Sequence, residues 1–349
     1  FFKKTSRLWY AKKFFYEYRK ITKEQKLNMP NICQVSLSGN IPIIHENMNN
    51  FENFYEKNFF YIIVPNKDKK LFKKKIKKKN TKIINENSII SFSKFKKISN
   101  KYLKHSSYYK KIQNRLTWYY QQVLKISFLI DFVENKKESM VIWDADTILI
   151  KRLNFFQNDF SYYYGTTSYF YKAYFFTNKL ILNDLPKYFI SSLAQFISVT
   201  PKETKFLVGK LKKKKKRLNK TSEWITHIIM DSVVKTHKIY NGSMFSEYEL
   251  IGQSQLIFNY KKQILISGIR ENLNGKLSNL QKNILKFLGF KYIAYEHTYR
   301  NMHSLNMLKR EQTWAKFFWI LIKKISNNLY RGAKHHIIFF LNYSNKRNF

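Results

Sequence analysis

The stretch Met140-Val-Ile-Trp-Asp-Ala-Asp-Thr-Ile-Leu-Ile150 limits the choice of fold more than any other part of the chain. Four apolar residues run into Asp144, Ala145 and Asp146, and a second apolar run follows at once. A short continuous apolar run, rich in β-branched residues and free of Pro and Gly, reads as a strand buried on both faces of an α/β sheet. Carboxylates are costly to bury. Two of them where such a run stops therefore belong at the strand's C-terminal end, where open α/β sheets build their ligand crevices. On an extended backbone Asp144 and Asp146 point to one side and Ala145 to the other. That pair makes a hard oxygen site suited to Mg²⁺ or Mn²⁺ carrying a diphosphate. Two solvated acids in a turn after a strand are the plainer alternative.

The residues before this strand alternate between strand and helix, the doubly wound pattern. Strands are expected at residues 32–37, 59–65 and 83–84, the last leading to Glu86. Helices are expected at 45–55, at the lysine-rich 68–79 and at 116–132. In the last of these, Trp118, Gln122, Leu124, Lys125 and Phe128 recur at three- and four-residue steps. After Ile150 the chain turns aromatic through Phe155, Phe156, Phe160, Tyr162–Tyr164, Tyr169–Tyr171 and Tyr174. This reads as half-buried strands with cross-strand ring pairs, with sugar-stacking faces as the alternative.

Three ordered motifs add to this. They are Trp118-Tyr-Tyr-Gln-Gln-Val-Leu-Lys125, Asp144-Ala-Asp-Thr147 and Ser246-Glu-Tyr-Glu-Leu-Ile-Gly252. Together they resemble a bacterial glycosyltransferase-like family of the GT-A (nucleotide-diphospho-sugar transferase) type, over roughly residues 32–300. The resemblance implies a mostly parallel sheet flanked by helices, formed by residues 31–300, with a nucleotide-sugar half (31–150) and an acceptor half (151–300). It implies a metal-dependent transfer of sugar from a nucleotide-diphosphate donor to a cell-envelope glycan or glycolipid. Asp144 and Asp146 would hold Mn²⁺ or Mg²⁺, with Gln122 and Lys125 facing the donor pyrophosphate and His297 as a late extra ligand. The loop at residues 38–42 follows the first strand, where such folds touch the nucleotide, yet it carries no acid.

Acids are few, 22 in 349 residues, so Glu247 and Glu249, two apart, stand out as candidates for the proton-accepting base. An acidic helix N-terminus is the alternative. His227 and Asp231 stand four apart and share a helix face. Asp231 is a further candidate base, while His227 and Tyr248 fall on the acceptor side.

The 65 basic residues give a net charge of +43, and 55 of them are Lys. Asn, Ile, Phe and Tyr are also abundant, so A/T-rich codon usage accounts for part of the excess. Such a surface attracts sugar nucleotides, phosphorylated glycolipids or an anionic membrane leaflet. No nucleic-acid motif is present, and specific nucleic-acid sites favour the Arg fork, so nucleic acid is not expected as a partner. Residues 1–30 read as a basic amphipathic helix and 301–349 as a basic helical tail. Together they could form a two-part peripheral anchor. No run of 18 apolar residues exists, and Cys33 is the single cysteine. A cytoplasmic protein, peripheral on the inner face of the membrane, is the expectation. Two other classes compete: a catalytically silent carbohydrate- or nucleotide-binding protein, and a nucleic-acid-binding protein using the lysine surface.

Overall fold

Alternate residues of the first strand point into two different cores, and this sets the layering of the molecule. In the computed structural model, residues 30–56, 58–104, 108–157, 159–166, 171–186, 191–259, 263–269, 273, 275–295, 311–324 and 326 are described. The basic N-terminal stretch, His297 and most of the tail lie outside them. In chain order, β1 (Asn31–Val35), α1 (Ile41–Phe54), β2 (Phe59–Val64), α2 (Lys69–Lys75) and β3 (Thr81–Asn85) come first. Helices α3 (Phe92–Leu103) and α4 (Leu116–Lys136) then lead into β4 (Met140–Trp143) and β5 (Thr147–Leu149). Next are α5 (Lys172–Leu182), β6 (Phe196–Val199), α6 (Pro201–Lys214), α7 (Thr221–His237) and α8 (Glu247–Phe258). Strand β7 (Gly268–Ile269), α9 (Asn279–Phe287), β8 (Tyr292–Ala294) and α10, a helix over residues 314–324, complete the described chain.

The main sheet has five strands in the order β3-β2-β1-β4-β6. The first four are parallel, and β6 runs antiparallel to β4. This is a mixed α/β fold with a central, mostly parallel sheet flanked by helices. Ile32, Phe60, Ile62, Val64, Val141 and Trp143 bury against α1 and α2. Cys33, Ile63, Met140 and Ile142 bury on the opposite face, against α3, α4 and α7. Burial on both faces explains why the strand segments read as unbroken apolar runs.

The aromatic stretch after Ile150 supplies core rather than long strands. Phe155, Tyr164 and Phe196 surround Trp143 or one another, with Trp143 stacked on Phe196 at 4.8 Å. Those two residues face each other in the β4–β6 register. From residue 172 the chain departs from the strand expectation and forms α5, which buries Ala173, Phe175, Ile181 and Leu182.

A second sheet, β7-β8-β5, stands beside the first. Ile148 and Ile150 share its core with Ile269, Leu285, Ile293 and, from α10, Phe317, Ile320 and Leu321. Of the expected tail, the described residues include 311–324 and 326. Among the described residues no helix is long and apolar enough to cross a membrane.

Candidate active site

Strand β4 ends at Trp143, and the three residues after it turn instead of continuing straight. The Thr147 N–H donates to the Asp144 carbonyl (3.1 Å), and the Trp143 indole N–H donates to the Thr147 carbonyl (2.8 Å). The extended backbone expected through Asp-Ala-Asp is thereby corrected. Asp144 is still tied to the main sheet, its N–H donating to the Gln195 carbonyl (2.9 Å), whereas β5 must pair antiparallel with β8 in the second sheet. The chain has to change sheets within two residues, which requires a turn. Asp144 and Asp146 are both half-buried at this turn, on the C-terminal rim of the parallel strands, and Ala145 is buried.

Behind Asp144 stands a buried cation. Lys125 on α4 donates to Asp144 Oδ1 (2.5 Å) and to Glu247 Oε1 (2.6 Å). The Tyr248 hydroxyl donates to the same Asp144 oxygen (2.7 Å), and its ring lies 4.8 Å from the ammonium. Burial alone would pull the Lys125 ammonium down, but Asp144 and Glu247 outweigh it and hold the group above the ordinary lysine value. Burial pushes Glu247 up, and Lys125 opposes that push. Burial also raises Tyr248, with Asp144 and Glu247 acting in the same direction, so its hydroxyl stays a proton donor.

Residues read from the sequence as one site are therefore distributed over distinct places. Asp144, Lys125, Glu247 and Tyr248 converge. Gln122, 2% exposed, accepts the N–H of Glu247 (3.1 Å) at the first turn of α8 and so caps that helix. Glu249, one residue past Tyr248, accepts hydrogen bonds from Ser191, Ser192 and Gln253 instead of Lys125. His227 pairs through Nδ1 with the Tyr102 hydroxyl (2.8 Å) on α3, and burial and the nearby Lys215 lower its pKa. Asp231 meets Lys235 (2.9 Å) and Lys214 (3.9 Å). Neither of these two shares a partner with the Asp144 cluster.

Sequence reasoning missed two contributors. Asp68, at the rim end of β2, accepts the N–H of Ser38 (3.1 Å), so the loop after β1 receives its acid from the next loop. The signal was an acid soon after the strand at Pro65-Asn-Lys-Asp68, masked by the lysines that follow it. Gln195, at φ 66°, carries the carbonyl that fixes Asp144, and nothing in the sequence marks that backbone. Glu86 lies on the same rim, raised by burial and by Asp68.

Burial pushes the Glu249 carboxyl up to about 7, with its serine and glutamine partners opposing. A folded value above the ordinary 4.5 means the group stabilises the fold as a neutral acid and loses that contribution as pH rises through about 7. The gap corresponds to roughly 3 kcal/mol at 1.36 kcal/mol per pH unit. Glu249→Gln is thus expected to match the wild type in stability at pH 4 and to exceed it at pH 9, by up to that amount. Urea midpoints at the two pH values check this, and equal midpoints at pH 9 would contradict it.

Residues 34–268 match the model of a family of unknown function, DUF6492. All three sequence motifs fall inside that span. No curated protein matches the chain. Among solved structures it is similar to mouse xyloside xylosyltransferase 1 in its apo form, with 5% identity and a TM-score of 0.40, over 76% of this chain and 97% of that one. It is also similar to the PaToxG glycosyltransferase, with 15% identity and a TM-score of 0.27, over 66% of this chain and 79% of that one.

Proposed function

We propose that this chain, which belongs to the DUF6492 family, is a glycosyltransferase that moves a sugar from a nucleotide-diphosphate donor to a hydroxyl of a cell-envelope glycan or glycolipid. The observation that carries this reading is the pair of half-buried aspartates at the C-terminal rim of β4, with the Lys125 ammonium fixed behind them. That rim is where α/β sheets bind phosphorylated ligands.

The donor atoms fit Mn²⁺ or Mg²⁺. Asp144 Oδ2 is not the oxygen taken by Lys125 and Tyr248, and Asp146 keeps exposed surface. Two carboxylates completed by diphosphate oxygens and water are the set such ions accept. Among the described residues no third His, Cys, Asp or Glu joins them. When bound, the ion neutralises charge developing on the departing nucleoside diphosphate. The chain's own residues do the rest. Lys125 and Tyr248 fix the Asp144 carboxylate, so no reorganisation is needed when the donor arrives. If the transfer inverts the anomeric centre, Glu247, one ammonium away from Asp144, accepts the acceptor's proton in this reading. Glu249 and Asp231 are the other candidates, each held by the partners described above.

The test is a screen of sugar nucleotides for Mn²⁺-dependent thermal stabilisation and slow donor hydrolysis. At a donor concentration near 100 Kd, Tm should rise by roughly 5 °C. Asp146→Asn should keep its ligand-free Tm and lose both the shift and the hydrolysis. An equal shift in EDTA, or in the variant, would overturn the reading. The Lys125–Asp144 pair favours a second reading, a carbohydrate- or nucleotide-binding protein without turnover, since a neutralised carboxylate attracts a metal less strongly. Stabilisation without Mn²⁺ dependence and without hydrolysis would support it.

A further inference from the structure

Helix α9 buries Leu285 in the core of the second sheet and packs Ile284 against it, yet it leaves the rest of its apolar side chains facing outward. Its apolar stripe, Leu280, Ile284 and Phe287, follows the i, i+4, i+7 spacing that normally faces a core. Yet Leu280 is 60% exposed and Phe287 89% exposed, while the polar Gln281 and Lys282 are 1% and 8% exposed. The inward side combines the fully buried Leu285 with polar contacts: Lys282 pairs with Glu46, and Gln281 donates to the Gln312 carbonyl (2.9 Å). Helix α10 repeats the theme. It buries Phe317, Ile320 and Leu321 in the core beneath β5 and leaves Phe318, Trp319 and Ile322 between 47% and 66% exposed. Single exposed apolar residues are ordinary, but two adjoining helices that both present such a stripe form a surface that calls for a partner.

The chemistry of the rim selects that partner. Residues 279–288 and 314–324 contain no acid and five lysines, of which Lys282 and Lys324 are buried and Lys286, Lys316 and Lys323 keep exposed surface. Lys286 and Lys323 are exposed beside the apolar side chains. Trp and Phe flanked by lysine, on helices that do not span a membrane, are the composition of interfacial helices. Aromatic rings settle at the headgroup level and each nearby lysine gains from anionic lipid. We propose that the outward faces of α9 and α10 dock the protein on an anionic lipid bilayer. The inference does not rest on the glycosyltransferase reading. It bears on that reading because Ile148 and Ile150, two and four residues after Asp146, pack in the same core as the inward side of α10.

The experiment uses the full chain and two vesicle types, phosphatidylcholine alone and phosphatidylcholine with phosphatidylglycerol. The chain should co-float with the anionic vesicles. Brominated lipid should quench its tryptophan fluorescence, and Trp319→Phe should lose most of that quenching. The Phe287→Ser/Phe318→Ser/Trp319→Ser variant should bind anionic vesicles at least about tenfold more weakly with an unchanged Tm, since three apolar side chains leave the interface. Asp146→Asn should float like the wild type even if it loses all response to sugar nucleotides, so the two readings fail separately. Three results would overturn the proposal: wild-type chain that binds neither vesicle, a triple variant that binds as tightly as wild type, or a wild-type dimer that the triple variant converts to monomer. The second would assign binding to lysines or to the basic aromatic residues 1–30 and not to this face, and the third would assign the face to a second copy of the chain.

Discussion

Lys125→Met should destabilise the protein by about 3–5 kcal/mol and eliminate any response to a nucleotide-diphosphate donor. Lys125 and Glu247 are almost fully buried, with side chains 9% and 4% exposed, and Asp144 is 23% exposed. Removing the ammonium leaves Glu247 as an uncompensated buried charge, the situation that makes breaking a buried pair far costlier than replacing it whole. The pairing itself says little about net stability, because both groups had to leave water. A double variant separates these effects. Lys125→Met/Glu247→Gln removes the stranded charge along with its partner and should recover more than half of the lost stability in a urea titration. It should not recover donor binding, because Asp144 still lacks its fixed cation. A single variant within about 1 kcal/mol of wild type would show that Lys125 does not hold the cluster together.

The second large effect is expected at Trp143. Its ring is fully buried among Phe51, Phe155 and Phe196, at 5.2, 6.3 and 4.8 Å. Trp143→Ala should cost about 3–5 kcal/mol through the cavity it leaves. Trp143→Phe keeps most of the packing but leaves the Thr147 carbonyl without the indole N–H. That variant should lose about 1–3 kcal/mol. It should also weaken Mn²⁺-dependent donor binding, because the turn carrying Asp146 loses one of the hydrogen bonds that hold it. Unfolding midpoints and donor titrations on the two variants check both parts. A phenylalanine variant with lower stability but unaltered donor response would mean that the turn is held by its sheet partners alone.

The layered fold and one edge of the site were legible in the sequence because their causes are local. Strands buried on both faces must be apolar at successive positions, and Phe59–Val64 and Met140–Trp143 are. Carboxylates must stop such a run, and Asp144 does. The steps of Trp118, Gln122, Leu124 and Lys125 gave α4 its buried face, including the two polar residues on it. What could not be read was long-range or backbone-borne. Lys125 and Glu247 meet across 122 positions, and Asp68 reaches Ser38 across 30. No periodicity carries such pairings. The turn at Asp144 is imposed by β8, whose pairing with β5 is invisible until the strands are in place. Glu247 and Glu249 look equivalent in the sequence. They divide because positions two apart in a helical first turn point to nearly opposite sides, one to an ammonium and one to serine hydroxyls.

The cluster also dictates when during synthesis it can exist. Its lysine, its aspartate and its glutamate come from three well-separated parts of the polypeptide, the last of them near residue 247. An emerging chain that has reached only residue 150 already holds β1 to β4 and both aspartates, yet has neither β6 to close the sheet edge nor Glu247 to complete the ion pair. Until that helix leaves the ribosome, Lys125 has one carboxylate where the finished protein gives it two.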